Sequence, residues 1–508
     1  MRTMRLAELA GRLFLSRLEG DGETVVSDIC MDHRRVKPGD LFVCIRGASF
    51  DGHSVAAEAV ARGARALVVE RDVEADAPKL FVPDSRYALP VIAAHFFGHP
   101  SREMRVVAVT GTNGKTTTTF LLERLLASSG AATGLMGNLG VKIGDRFERE
   151  EGMNTRESVD LQRTLRRMAD AGVRWCVLEA TSQGLHKGRL IGCEIRTAVF
   201  TNLTQDHLDY HGTMEAYRTA KGLLFARLGN AVWSDESERK FAVLNADDPA
   251  SAFFRELTAA EVITYGVKSP CDVRASDVAL SAEGATFSVT AFGKTVRFRT
   301  KLVGMFNVYN ALAAVAAALP EGVTLERARD ELERFGPVEG RMETVDEGQP
   351  FSVVVDYAHT PDGLENALST LRAFTKGRLI VVFGAGGDRD RAKRPLMGKA
   401  AAKYCDYVWV TSDNPRSEDP EAIMRDIEVG LAESGYPADR YALIADRRRA
   451  IEKAIEMASP NDVVLIAGKG HETYQIVGNA TYPFDDRAVA REAIRACRKG
   501  RGDRPVRE

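Results

Sequence analysis

Residues Val106–Thr118 read VVAVTGTNGKTTT. An apolar, β-branched run stops at Thr110. Four loop residues, Gly111, Thr112, Asn113 and Gly114, lead to Lys115 and three threonines, and Leu121, Leu122, Leu125 and Leu126 then recur at helical spacing. This is a strand, a phosphate loop and a helix. The glycines let successive backbone N–H groups turn toward one anion, and the helix N-terminus adds its positive end. Lys115 can reach β/γ-phosphates and the Thr116 hydroxyl can ligate Mg²⁺. The common G-x-x-x-x-G-K-[ST] spacing would want glycine at Val109, so this is a shortened variant. A plain Gly-rich turn with a surface lysine would not need strand, loop and helix in this order.

Around this stretch the chain has 508 residues, too many for one core, with 44% apolar and 28% charged residues. A net charge of −2 gives no reason to expect nucleic acid or a membrane as partner. Seven cysteines lie dispersed from Cys30 to Cys497 without a C-x-x-C pair, which points to reduced thiols and a cytoplasmic setting. The first fourteen residues read as a short amphipathic helix, not a signal peptide. Leu302–Leu319 is apolar but holds Asn307 and Asn310, and reads as a buried helix.

The expected fold class is α/β, the length suggesting two to four domains: residues 1–104 read as small α/β, 105–335 as a central phosphate-loop region with a mainly parallel sheet, and 336–508 as a third region of alternating strands and helices. Asp272–Val303 alternates polar and apolar residues and predicts a small antiparallel insertion. Strands are expected at Leu41–Ile45, Ala66–Val69, Trp175–Leu178, Ala198–Thr201, Ser352–Val355, Leu379–Phe383, Tyr407–Val410 and Val463–Ile466. The last four run into polar loops, where ligands of open α/β sheets sit. The tail from Arg498 reads as frayed.

Several stretches carry chemistry. Glu179 ends the WCVLE strand, where a carboxylate can hold a nucleotide-bound Mg²⁺. Phe200–Phe225 packs Asp206, His207, Asp209, His211 and Lys221 together, reasonable surroundings for a second divalent ion. Lys221 precedes Leu223, Leu224 and Phe225; a desolvated amine loses its charge more readily and can add CO₂ to become a carbamate. A lysine on a helix face is the other reading. In the last third, Gly384–Arg389 and Ser412–Arg416 offer arginines for carboxylates, while Asp413 and Glu472 offer anions for an ammonium. Together they suit a zwitterionic amino acid.

With these motifs the sequence resembles the Mur ligases of peptidoglycan synthesis over nearly its whole length. The residues that carry the likeness are TGTNGKTTT, FTNLTQDHLDYHGTMEAYRTAKGLLF, GMFNVYN at Gly304–Asn310, GRME at Gly340–Glu343, DYAHTPDGL from Asp356, FGAGGDRDRAKRPLMG from Phe383, DNPR at Asp413–Arg416, and GKGHE. The resemblance implies three domains, residues 1–104 for the UDP-sugar, 105–335 for ATP and 336–508 Rossmann-like for the amino acid, in an ATP-dependent ligase using Mg²⁺ that adds meso-diaminopimelate, which DNPR marks, to UDP-N-acetylmuramoyl-L-alanyl-D-glutamate. A monomer is expected. Gly111, Thr112, Asn113, Gly114, Lys115, Thr116 and Thr117 would bind ATP phosphates, with Asn307, Arg341, Asp356 and His359 lining the nucleotide. Thr116 and Glu179 would hold one Mg²⁺, His207 and a carbamylated Lys221 the second. Lys115, Glu179, His207 and Lys221 would be the catalytic set.

Arg389, Asp413, Asn414, Pro415, Arg416, Gly468 and Glu472 would hold diaminopimelate. Asn154, Thr155, Thr181, Ser182 and Arg189 would hold the muramoyl dipeptide, and Met31, His33, Ala48, Ser49 and Phe50 the UDP part. The chain departs from the family pattern at His33, at Arg156 in Asn154–Glu157, at Gln183 and at Ala385. A lysine-adding ligase, a folylpolyglutamate synthetase-like ligase and a nucleotide switch without ligation are the competing readings; DNPR, the separate first domain and the acidic His-rich stretch count against them in turn.

Overall fold

The computed structural model describes residues 2–47, 50–150, 153–230, 235 and 238–502. Three sheets follow one another along the chain. The first has five strands in the order Arg17–Glu19, Lys79–Phe81, Ala66–Val69, Asp40–Val43 and Asp28–Cys30; all but the first pair run parallel. Ala66–Val69 is buried at every position, as befits a parallel strand covered on both faces. Helix Ser85–Phe96, capped by the Asp84 carboxylate, then packs on helix Ser158–Asp170 of the next region.

The second sheet has eleven strands. Its parallel centre runs Thr133–Gly137, Trp175–Glu179, Arg105–Thr110, Ile195–Phe200, Phe241–Asn245, Glu261–Gly266. From Arg105–Thr110 the chain moves first to one side and later to the other. That strand is a topological switch point, and the loop after it opens into the crevice where α/β ligands bind. The antiparallel segment is no separate insertion. Val273–Ser281 joins Glu261–Gly266 in parallel, and Gly284–Ala291 and Lys294–Thr300 extend the same sheet. Its inward residues Phe287, Val289 and Phe298 merge into the core under the alanine-rich helix Met305–Ala318, which supplies the missing hydrophobic cover.

The third sheet runs Glu343–Thr344, Ser352–Asp356, Val463–Ala467, Leu379–Phe383, Tyr407–Thr411, Tyr441–Ile444, parallel except for the first pair. Its switch point falls between Val463–Ala467 and Leu379–Phe383. The linker residue Glu339 is gripped from both sides, by Arg149 on the central sheet's edge strand and by Arg487 on the last helix. Two expectations change. The N-terminal helix covers only Leu6–Ala10, because Met4–Arg5 pairs with Val25–Val26. The tail from Arg498 is not frayed throughout: helix Asp486–Gly502 includes its first five residues. No helix among the described residues is long and apolar enough to cross a membrane.

Candidate active site

The phosphate loop is built as its sequence requires. Gly111 (φ 149°) and Gly114 (φ 83°) take left-handed backbone, and a Cβ at Gly114 would lie 2.2 Å from Asn310 Oδ1. Thr201 and Asn202, just past the neighbouring strand, hold the loop: Thr112 N donates to Asn202 O (2.8 Å), Asn113 N to Asn202 Oδ1 (2.9 Å), and Thr201 Oγ1 to Asn113 O (2.7 Å). The Lys115 ammonium folds back on Gly111 O (3.0 Å) and Thr112 O (2.8 Å). Burial lowers its pKa, opposed by the Glu179 and Asp206 charges.

Opposite the loop, Thr116 Oγ1 donates to Glu179 Oε1 at 3.0 Å, and Asn138 N donates to the same oxygen at 3.1 Å. Asn154 Nδ2 reaches Glu179 Oε2 at 3.3 Å. The third region closes over this centre. Arg341 Nη2 donates to Thr116 Oγ1 (3.1 Å) while its guanidinium lies 4.4 Å over the Tyr357 ring; its Nε is buried with no hydrogen-bond partner. Asn113 Nδ2 donates to Asp362 Oδ2 at 2.8 Å. Lys393 Nζ lies 3.5 Å from buried Asp206 Oδ1, and His359 Nε2 lies 3.9 Å from the other oxygen. Burial would push Asp206 up, but Lys393 and the two imidazoles outweigh it and hold it below the usual carboxylate range. Burial keeps His207 down at about 3 and His359 at about 4, so both are neutral lone-pair donors near neutral pH.

Lys221 is fully buried on helix Met214–Ala226. Its amine donates to Gly111 O at 2.8 Å and sits 4.4 Å over the Tyr217 ring. Burial, then the Lys115 charge, hold it well below the ordinary lysine value. The helix-face reading on its own therefore falls short: the amine is a desolvated group directly beneath the phosphate loop.

The last-third loops converge as well. Asn414 Nδ2 donates to Glu472 Oε2 (3.0 Å), and its Oδ1 accepts from Lys469 Nζ (3.1 Å) and Ile476 N (2.9 Å), so the amide orientation is fixed. Lys469 Nζ also lies 3.3 Å from Glu472 and 3.9 Å from Asp413. Burial raises Asp413, but Lys469 and Arg447 outweigh it and leave it low; burial raises Glu472 and prevails there. Arg416, in left-handed backbone at φ 51°, donates to Gly387 O at 2.8 Å.

One cavity of about 440 Å³ joins the phosphate loop, Glu179 and His207 to Arg341 and His359, to Arg389, Asp413, Asn414, Arg416, Gly468 and Glu472, and to Asn154, Thr155, Thr181 and Arg189. Other expected site residues stand back from it. Asn307 bonds Val303 O and Asn310, and the Asp356 carboxylate accepts from Met342 N and Ala358 N; neither lines this cavity. Ser182 Oγ is engaged with His211 Nε2 (3.0 Å). Gly111, Thr117 and Pro415 are not among the residues that line the cavity. In the first region His33 stacks on Phe50 (ring centroids 5.9 Å) and Met31 is half-buried; Ala48 and Ser49 lie outside the described residues. The sequence reading passed over Asn138, Lys187, Tyr357, Lys393 and Tyr474, which also line the cavity, as does Gln183, noted above as a departure from the family pattern. Only Lys393 and Tyr357 lay inside quoted motifs, where a site role could have been sought.

Family models match in three consecutive stretches: "Mur ligase family, catalytic domain" at residues 25–97, "Mur ligase middle domain" at 109–318 and "Mur ligase, glutamate ligase domain" at 340–470. A UDP-N-acetylmuramoyl-L-alanyl-D-glutamate–2,6-diaminopimelate ligase of Geobacillus thermodenitrificans is 51% identical over 493 residues, covering 97% of this chain and 99% of the relative. A solved structure of a ligase of the same name is 34% identical with a TM-score of 0.66, covering 97% of this chain and 99% of that one. The ADP complex of a MurF ligase from Thermotoga maritima, 20% identical with a TM-score of 0.62 over 93% and 97% of the two chains, shares the fold.

Proposed function

The chain belongs to the Mur ligase family, and we infer that it is an ATP-dependent ligase that adds meso-diaminopimelate to UDP-N-acetylmuramoyl-L-alanyl-D-glutamate in the synthesis of peptidoglycan precursors. The observation that carries this reading is the single cavity shared by the phosphate loop and the Asp413–Arg416 and Gly468–Glu472 loops.

The loop N–H groups and the start of helix Lys115–Ala127 receive the ATP phosphates. Lys115 leaves its two carbonyl partners for the β/γ oxygens, and the Arg341 guanidinium, whose Nη2 reaches Thr116 at the loop, lines the same space. The D-glutamate side-chain carboxylate attacks the γ-phosphorus, the bond to ADP breaks, and an acyl phosphate forms. Thr155, Thr181 and Arg189 orient the dipeptide for that attack. Asp413 and Glu472 hold one ammonium of the amino acid, and Arg389 and Arg416 hold its carboxylate. The other, deprotonated amine attacks the acyl carbon, phosphate leaves with the bonding pair, and the amine's proton passes to the departing phosphate. Closure of the third region excludes water from the acyl phosphate.

Mg²⁺ fits the donor set: the Thr116 hydroxyl and Glu179 carboxylate are hard oxygen donors side by side, and such sites take their other ligands from phosphates and water. Among the described residues no three His, Cys, Asp or Glu side chains gather into an all-protein metal cluster. A second ion would be held by neutral His207 with Lys221 as its carbamate, which the desolvated amine is suited to form. When bound, the ions supply positive charge to the transferring phosphoryl group. A cytoplasmic location accords with seven dispersed cysteines that form no disulfide among the described residues.

The test is phosphate release and product formation by the purified protein. Both must require the UDP-linked dipeptide and diaminopimelate together, with L-lysine a poor substitute. Equal phosphate release without an amino acid, or equal use of lysine, would overturn the reading.

A further inference from the structure

Behind the two strand ends that carry Asp413 and Gly468 lies a side chain that no recognised motif contains. Arg447 opens helix Arg447–Met457 and is 1% exposed; its partner Asp486, at the start of the last helix, is 0% exposed. An arginine in the first turn of a helix faces the positive end of the helix dipole, an unfavourable place for a buried cation. Asp486 compensates with two hydrogen bonds, from Arg447 Nε (2.8 Å) and Nη2 (2.7 Å). The remaining donors do not reach other side chains. Nη2 donates to Ala467 O at 2.9 Å and Nη1 to Ser412 O at 3.3 Å.

These two carbonyls stand at the ends of non-adjacent strands, Ala467 as the last residue of one and Ser412 just past the other. Leu379–Phe383 runs between Val463–Ala467 and Tyr407–Thr411. Past its end stands Gly384, where a Cβ would lie 2.1 Å from Thr411 O; its absence lets the Ser412 segment cross inward until both carbonyls share one guanidinium. The next residues in the two chains are Asp413 and Gly468. They meet closely, since a Cβ on Gly468 would lie 2.5 Å from Asp413 Oδ2. Arg447 thus fixes the spacing of the two loops that contribute Asp413, Asn414, Arg416 and Glu472 to the cavity, without itself reaching it.

We propose that Arg447, locked by Asp486, is a positioning residue that sets the geometry of the amino-acid subsite. The proposal rests on the ligase reading above. It makes affinity for diaminopimelate depend on a side chain that touches no substrate, and on the last helix, which lies outside the matched family models. Lysine at 447 keeps the charge but has a single nitrogen, so it cannot bridge two carbonyls and a carboxylate as a fork does.

The test uses the full chain carrying R447K and, separately, D486N, with diaminopimelate, ATP and the UDP-linked dipeptide varied in turn. The KM for diaminopimelate is expected to rise about tenfold in both, the equivalent of one charge-assisted hydrogen bond. The KM for ATP should stay within about twofold and kcat within about threefold, a pattern that general destabilisation does not give. Guanidinium ion added to R447A should recover part of the lost affinity. A folded R447K or D486N protein with unchanged KM for diaminopimelate, or an equal rise in all three KM values, overturns the proposal. So does failure of both variants to fold, which would make the pair purely structural. If wild-type protein does not use diaminopimelate at all, the ligase reading fails instead.

Discussion

The hydrogen bond from Asn113 Nδ2 to Asp362 Oδ2 ties the phosphate loop to the first turn of helix Pro361–Phe374 in the third region. It is the bond to break if closure of one region on the other assembles the site. At 2.8 Å with a charged acceptor it belongs to the stronger class, about 1.5–3 kcal/mol. Both partners are half-buried, so water competes and the lower end, about 1–2 kcal/mol, is the better figure. Thr360 Oγ1 donates to Asn113 Oδ1 at 3.3 Å, a weak contact that adds little. Asn113→Ala, Asp362→Ala and the double variant form a cycle, read as kcat/KM for ATP from ADP release in the full reaction. A coupling of about 1–2 kcal/mol corresponds to about 5–30-fold: each single variant loses at least that, and the double variant loses that much less than the product of the singles. Burial raises the Asp362 pKa and Asn113 lowers it, so Asn113→Ala raises it further. The assay therefore belongs at alkaline pH, where the carboxylate stays charged. If the two losses simply multiply, to within about 0.3 kcal/mol, the bond does not carry closure.

Lys221→Ala should lower kcat by at least about 10²-fold, the scale of losing one preorganised charge at a reacting phosphoryl group, and short carboxylic acids should restore part of it; full activity would discard the carbamate. Glu321, fully buried between Arg105 and Arg196 at 2.5 Å each and Trp175 Nε1 at 2.9 Å, clamps the starts of three central strands; Glu321→Gln should cost about 3 kcal/mol, seen as a lower denaturant midpoint with the active-site affinities intact. Burial holds His207 and His471 at about 3 and His359 at about 4, against about 6.5 in an unfolded chain. Between those values the unfolded chain binds more protons, so stability should fall as pH drops from about 6.5 toward 4, and His471→Asn should flatten that slope in thermal melts. An unchanged slope would mean that His471 titrates freely in the folded protein.

Much of this was legible because local chemistry and global fold agree. The phosphate loop needs two left-handed glycines between a buried strand and a helix, and no other local structure fits VVAVTGTNGKTTT. The four polar loops of the third region follow continuous apolar strands, so their place at one sheet edge could be read from order alone. Elements decided by distant partners were not legible. Val273–Thr300 reads as a self-contained antiparallel unit, yet its first strand finds an open edge at Glu261–Gly266 and continues the main sheet. The internal hydrogen bonds of Asn307 and Asp356 to nearby backbone groups also depend on local geometry that the sequence alone does not display. Lys393 was passed over because its significance depends on Asp206, a residue 187 positions earlier, in the loop that follows strand Ile195–Phe200 of the central sheet.

The grip on Glu339 has a consequence for how the protein works in different media. A linker pinned at its middle by arginines from both flanking bodies is a braked joint, and the brake is electrostatic. Raising the electrolyte from about 0.1 M to about 1 M shrinks the reach of exposed charges from about 10 Å to about 3 Å. Arg149 is exposed and should give way to added potassium chloride, while Arg487, 7% exposed, keeps its hold, so salt should slacken the joint from the central-sheet side alone.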